Sequence, residues 1–294
     1  MNNLLCFGMG FCAQSLARRL NPAIWSVTGT ARTTEGVAKL KAKGFEAVRF
    51  ADALAEPSRL QAPLFLLASA PPSGGLDPVL ATFEADLTDL SRNIRWVGYL
   101  STTGVYGDHQ GNWVDENTQL MPRSDRAKRR VDAESAWTDW GARNNVPVSV
   151  FRLAGIYGPG RNQLETVREG TARRILKAGQ VFSRIHVDDI AAVLEASMLH
   201  PMAGRVYNVC DDEPCAPHVV IEYAAQLLGV TPPPLEQFDA AKSTLSPMAA
   251  SFFDESKRVR NDRIKQELNV RLQYPTYREG LSALQAVGNG VEHS

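Results

Sequence analysis

Arg126 and Arg130 stand four residues apart in the stretch RAKRRVDAE. On a helix that spacing puts two side chains one above the other on a single face. An arginine does not give up its proton in a protein, so this pair cannot act as acid or base. It can stabilise a developing oxyanion, or clamp a carboxylate or phosphate through parallel N–H bonds. The same face runs on through Ala133 and Trp137, as expected of a side turned toward the interior. Lys128 and Arg129 fit a solvated side instead. Asp125–Arg129, Lys128–Asp132 and Arg130–Glu134 are opposite charges at helical spacing, and each such pair contributes only about 0.2–0.5 kcal/mol. The stretch divides accordingly, part surface and part candidate site.

A second group of residues binds rather than reacts. Gly8-Met9-Gly10-Phe11-Cys12-Ala13 fits G-x-G-x-x-G/A between an apolar run, LLCF, and a helical pattern, FCAQSLARRL. The pattern is that of a dinucleotide turn. Gly8 permits the tight bend, Gly10 leaves room for a pyrophosphate, and Ala13 lets helix and strand approach. Phe11 and Cys12 open the helix, whose free N–H groups and dipole favour anions. NAD sites usually place an acid about 20 residues further on, against the ribose 2′-hydroxyl. Here WSVTGTARTT carries Arg32 and has no acid before Glu35. An arginine suits a 2′-phosphate, so the expected cofactor is NADP(H) in preference to NAD(H). Asp52, after the third apolar run, is a candidate acceptor from the adenine amino group or a cap for the segment that follows.

These residues must be held by a scaffold, and the chain supplies one. Apolar runs recur as LLCFGMG, IWSVTGTAR, FEAVRF, PLFLLASAPP, RWVGYLSTTG, PVSVFRLAGIYG and RVYNV, with helical patterns between many of them. Alternation of this kind predicts an α/β fold, a doubly wound parallel sheet covered on both faces. The chain has 294 residues, 44% of them hydrophobic, enough for one main domain and a smaller lobe. Acidic and basic residues balance at 32 each, which excludes a sequence-wide basic field for nucleic acid. No apolar run reaches the roughly 18 residues that suggest a membrane span. The start makes a poor signal peptide, and Cys6, Cys12, Cys210 and Cys215 lack zinc-type pairing, so reduced thiols and a cytoplasmic location are expected.

Four stretches in order, GMGFCA, YLSTTGVYGD, FRLAGIYGPGR and RIHVDDIAAV, resemble the extended and atypical short-chain dehydrogenase/reductase superfamily, nearest to its NAD(P)-dependent epimerase/dehydratase-like members. The resemblance implies a seven-stranded Rossmann sheet and a substrate lobe from the C-terminal part. It suggests residues 1–157 with 186–210 for the dinucleotide domain, and 158–185 with 211–294 for the lobe. It also implies that Thr102, with Thr103 beside it, holds the reacting oxygen. Ser69 would lie beside the nicotinamide ribose, and Tyr157 and Arg161 at the start of the substrate pocket. His186 reads as structural.

The family carries Y-x-x-x-K on the helix after the VYG stretch. Anchored on Ala133-Glu134, Arg126 takes the tyrosine position and Arg130 the lysine position. A register shifted by two offers Ser124 and Lys128 instead. The expectation is an NADP(H)-dependent oxidoreductase or epimerase/dehydratase-like enzyme on a small anionic carbonyl or sugar-like substrate, with Thr102, Arg126 and Arg130 at its centre. The competing expectation is a dinucleotide-binding regulator or scaffold that has lost the chemistry. No metal is implied. A homodimer through the helices EADLTDLSRN and KRRVDAESAWTDWGARNN is a further expectation, with Trp137 and Trp140 either contacts in it or core residues.

Overall fold

The computed structural model describes residues 1–73 and 77–291. The first half alternates as the apolar runs require: β1 (Asn2–Phe7), α1 (Phe11–Arg19), β2 (Trp25–Ala31), α2 (Thr34–Ala42), β3 (Glu46–Arg49), β4 (Leu64–Ala68), α3 (Pro78–Asp89) and β5 (Ile94–Thr102). A short strand β6 (Trp113–Val114) precedes α4 (Asp125–Asn144) and β7 (Val148–Leu153). Then come β8 (Gly155–Tyr157), α5 (Gln163–Arg168), β9 (Arg174–Leu176), β10 (Arg184–His186), α6 (Val187–Leu199) and β11 (Arg205–Val209). The C-terminal part adds α7 (Pro217–Leu228), β12 (Leu235–Gln237), α8 (Phe238–Ala241), α9 (Pro247–Ser251), β13 (Arg258–Val259), α10 (Asp262–Glu267) and α11 (Tyr277–Val291).

Seven strands form one all-parallel sheet in the order β11-β7-β5-β4-β1-β2-β3. Successive side chains of a strand point to opposite faces, and β1 shows why the sheet is covered twice. Leu4 and Cys6 join the core beneath α1 and α6, with Leu16, Ile190 and Leu194. Leu5 and Phe7 join the core beneath α3 and α4, with Phe83, Leu87 and Trp137. Central strand β4 (LFLLA) is buried throughout, which explains its unbroken apolar run. The seven apolar runs of the sequence are the seven strands of this sheet. β10 (RIH) lies outside this sheet and pairs with β8 in a separate parallel ribbon.

Beyond the sheet, α5, α7 and α11 enclose a smaller core of Tyr157, Leu164, Val220, Ala224, Tyr277 and Leu281. The Rossmann-type sheet with an additional C-terminal lobe is thus the architecture. Of the two readings of Trp137 and Trp140, dimer contact or core, the structure bears out the core and corrects the contact. Both are fully buried and meet edge to face at 5.7 Å in the core between α4 and the sheet. Among the described residues no helix is long and apolar enough to cross a membrane.

Candidate active site

The strand order reverses between β1 and β4, and in open α/β sheets a crevice lies outside the strand ends at such a point. After Phe7 the chain turns at Gly8, whose φ of +94° a side chain would resist. The Gly8 N–H donates to Thr30 Oγ1 at 2.9 Å, and the Met9 N–H to the Thr30 carbonyl at 3.0 Å. From β4, the Ser69 hydroxyl donates to the carbonyls of Phe7 and Gly8. A Cβ on Gly8 would come within 3.1 Å of Ser69 Oγ and Ala70 N. Gly10 differs: a Cβ there would meet nothing within 4 Å. Helix α1 starts beside that space with no side-chain cap and no acid in its first turn. In contrast, α2, α3 and α4 are capped by Thr33, Asp77 and Ser124. The leading N–H groups of α1 have no partner within the helix. Cys12 and Ala13 are buried behind them, and burial pushes the Cys12 thiol up to about 11, with Arg161 pulling the other way.

Strand β5 carries Thr102 and Thr103 to the same edge of the sheet. Thr102 Oγ1 accepts from the Gly104 N–H at 3.1 Å and starts the turn Thr103–Tyr106. Its own hydroxyl hydrogen remains free to donate. Both threonines are half-buried.

Helix α4 lies against β5 and β7, and its arginines separate. Arg130 is half-buried, and Nη1 donates to the Leu100 carbonyl at 2.6 Å and to the Tyr99 hydroxyl at 3.1 Å. Arg126, one turn earlier, is exposed and pairs with no carboxylate among the described residues. Lys128 is exposed and lies 3.6 Å from Asp125. Ser124 is the N-cap, accepting from the Ala127 N–H at 3.2 Å, so its hydroxyl oxygen serves the helix in the shifted register. The expected Arg130–Glu134 pair does not form, because Glu134 turns to Arg152 at 2.7 Å. Sequence reading missed this buried network, in which Ser101 also donates to Glu134 and Arg152 donates to Tyr106 at 3.0 Å. Tyr106 in turn donates to Asn208 at 2.7 Å, and burial pushes its hydroxyl up to about 12. The available signal was Arg152 itself, a charge within the apolar strand VSVFRL, where it needs a partner.

The remaining candidates scatter. Asp52 neither caps a helix nor stands free; it is held by Arg49 at 2.7 Å. Tyr157 is buried in the lobe core with its hydroxyl 3.4 Å from the Thr276 carbonyl, and the Gly280 backbone closes over it. At 3% exposure it is part of the lobe core, at the position where the sequence reading expects a substrate contact. Neighbouring Arg161 is exposed and stands 6.0 Å from the Phe11 ring, beside α1. His186 caps α6 through Nδ1 and packs between Tyr157 and Tyr274.

The family model described as the NAD dependent epimerase/dehydratase family matches residues 79–210. The structure of a functionally unknown conserved protein from Silicibacter pomeroyi DSS is 51% identical, with 97% of this chain and 98% of that chain covered and a TM-score of 0.88. The family match thus covers the central part of the chain, a little under half of its length. The chain is also similar to Protein YeeZ of Escherichia coli (strain K12), 28% identical with 94% and 97% of the two chains covered. It shares its fold with dTDP-glucose 4,6-dehydratase from Bacillus anthracis str. Ames in complex with NAD, at 20% identity, 100% and 98% coverage and a TM-score of 0.76. The general fold is that of NAD(H)-binding oxidoreductases and epimerases.

The expected preference for NADP(H) is corrected by the same comparisons. The dehydratase holds NAD, as do UDP-sugar 4-epimerases of this fold from Bacillus cereus and Thermus thermophilus. The physical reason lies in Arg32, which sits exposed beyond β2. Thr33 beside it is committed to capping α2. An arginine at this turn is a solvated loop residue, and its type alone does not create a phosphate pocket.

Proposed function

We propose that this protein is an NAD(H)-dependent oxidoreductase or epimerase-type enzyme acting on a small anionic carbonyl or sugar-like substrate. The observation that carries this reading is the open space at Gly10, in front of the uncapped start of α1 and at the reversal of strand order. Gly8, Gly10, Phe11, Cys12 and Ala13 would hold the dinucleotide's phosphates there, with Ser69 bracing the turn. The cofactor, when bound, supplies or accepts the hydride.

The rest of the chemistry falls to this chain's own side chains. Thr102 donates its free hydroxyl hydrogen to the reacting oxygen, with Thr103 beside it. Arg126 meets the substrate's negative charge, and among the described residues no carboxylate competes for its donors. Arg130 is a positioning residue that ties α4 to the end of β5. Helix α4 contains no tyrosine and Tyr157 is buried in the lobe core, so the proton is assigned to water. A positioned acid contributes roughly 10²–10⁴ in rate, so slow turnover is expected without one. The missing tyrosine also favours a second reading, a dinucleotide-binding regulator without hydride exchange.

The test is calorimetric titration of wild type and Gly10→Ala with NAD⁺ and NADH. The backbone at Gly10 is extended and its surroundings are open, so alanine preserves the fold while intruding on the phosphates. Unchanged melting with lost affinity supports the site. No binding to wild type at millimolar concentration removes it. Hydride exchange on a carbonyl panel then separates enzyme from regulator.

A further inference from the structure

The turn Gly158–Arg161 brings a cation beside the start of α1. It is closed by two backbone hydrogen bonds, Gly158 N–H to the Arg161 carbonyl at 2.9 Å and Arg161 N–H to the Gly158 carbonyl at 3.0 Å. Buried Asn162 secures it from below, donating to the Gly158 carbonyl at 2.9 Å while capping α5. Gly158 is wedged so tightly that a Cβ would lie 2.7 Å from Val187 and 3.1 Å from the Phe11 ring. The backbone of the turn is therefore fixed against the first residue of α1. Its one long side chain, Arg161, is exposed and reaches over the Phe11 ring, 6.0 Å from the ring centre. Its charge is felt at Cys12, the next residue of the helix. Among the described residues no carboxylate pairs with it, although seventeen ion pairs hold other charges of the chain.

We infer that Arg161 is the phosphate-binding cation of the dinucleotide site, rather than a residue of the substrate pocket. The inference rests on the dinucleotide reading of Gly8–Ala13 and adds to it. The helix start offers N–H donors and a partial positive charge, and Arg161 adds a full charge and a planar fork suited to phosphate oxygens. A rigid backbone beneath the guanidinium lowers the ordering cost of binding, which strengthens each contact made. The arrangement also joins the two halves of the protein, because the turn leads directly into α5 of the lobe core. A ligand with a diphosphate bridges them; a nucleoside does not.

The experiment is calorimetric titration of wild type, Arg161→Gln and Arg161→Lys with NAD⁺, ADP-ribose and adenosine. Loss of one charge-assisted contact weakens NAD⁺ and ADP-ribose about 10- to 100-fold in Arg161→Gln. Adenosine affinity stays the same, and Arg161→Lys recovers most of the loss. Melting temperatures stay close together, because the side chain is exposed and the turn's bonds are made by backbone. Unchanged ADP-ribose affinity in Arg161→Gln overturns the inference while leaving the dinucleotide reading intact. An equal loss for adenosine assigns Arg161 to the turn's structure and overturns it too. If wild type binds none of the three, both fall together.

Discussion

Glu134 on α4 and Arg152 on β7 form an ion pair of 2.7 Å, with each side chain only 7% exposed. Two further contacts of 3.2 Å from Arg152 Nε make the contact a fork on a fork. Burial alone would lower the arginine's hold on its proton, but Glu134 outweighs it and raises the Arg152 pKa. Removing one partner leaves the other charge buried and unpaired. Glu134→Ala is expected to lose about 3–5 kcal/mol of stability, whereas Glu134→Leu with Arg152→Met recovers most of that loss. Urea denaturation of the three proteins checks both statements, and equal losses for single and double variants would show that packing, not charge, dominates there.

Asp211 gives a pH-dependent expectation of the opposite kind. It is buried, and burial pushes its carboxyl well above the usual range, with the Arg184 charge and the Glu213 backbone N–H pulling the other way. A raised folded-state pKa means the folded protein binds more protons than the unfolded chain between the two values. Stability from this group therefore falls as pH rises from about 4, the ordinary aspartate value, through the folded value. Asp211→Asn removes the titration, so the variant's stability relative to wild type should climb with pH across that window. Melting curves from pH 4 to 8 measure the difference, and a flat difference would show that Asp211 does not titrate there.

How far the sequence could be read depended on whether an answer was local. Apolar runs carried the seven strands, because a strand buried on both faces must be apolar along its length. RIH did not reveal its partner, since three residues do not distinguish a sheet edge from a separate ribbon. The glycine turn was legible for the same local reason that Gly8 needs its φ. Glu134 and Arg152 were not, because residues 18 apart meet only once β7 lies beside α4. Tyr157 and Arg161 were grouped in one motif, yet the turn between them sends one side chain into the lobe core and the other over α1. The arginine helix was half legible: helical spacing predicts which residues share a face, but not how far along the helix burial extends. Arg126 and Arg130 share that face and differ in exposure.

Arg32 is the simplest test of the corrected cofactor assignment. Its side chain is exposed beyond β2, and surface substitutions away from special features usually change stability by less than about 0.5 kcal/mol. Arg32→Ala is expected to leave both melting temperature and NAD⁺ affinity within about twofold, since an NAD site needs no cation at this turn. Titration of the two proteins side by side decides it. A large loss of NAD⁺ affinity would place Arg32 against the ribose after all.

Under the proposed function Thr102 has two tasks through one hydroxyl, and two readouts separate them. The oxygen accepts from the Gly104 N–H, a cap whose loss costs about 0.5–2 kcal/mol. The hydrogen is free for the reacting oxygen, and removing one such donor costs roughly 10²–10³ in rate at sites that stabilise an oxyanion. Thr102→Ser keeps both functions and should retain most stability and most hydride transfer. Thr102→Val keeps the shape and loses both. Single-turnover hydride transfer, measured with melting temperature, distinguishes the tasks. If Thr102→Val melts lower but transfers hydride at the wild-type rate, the threonine is a cap alone, and the reacting oxygen must be held elsewhere along the edge formed by β4, β5 and the start of α4.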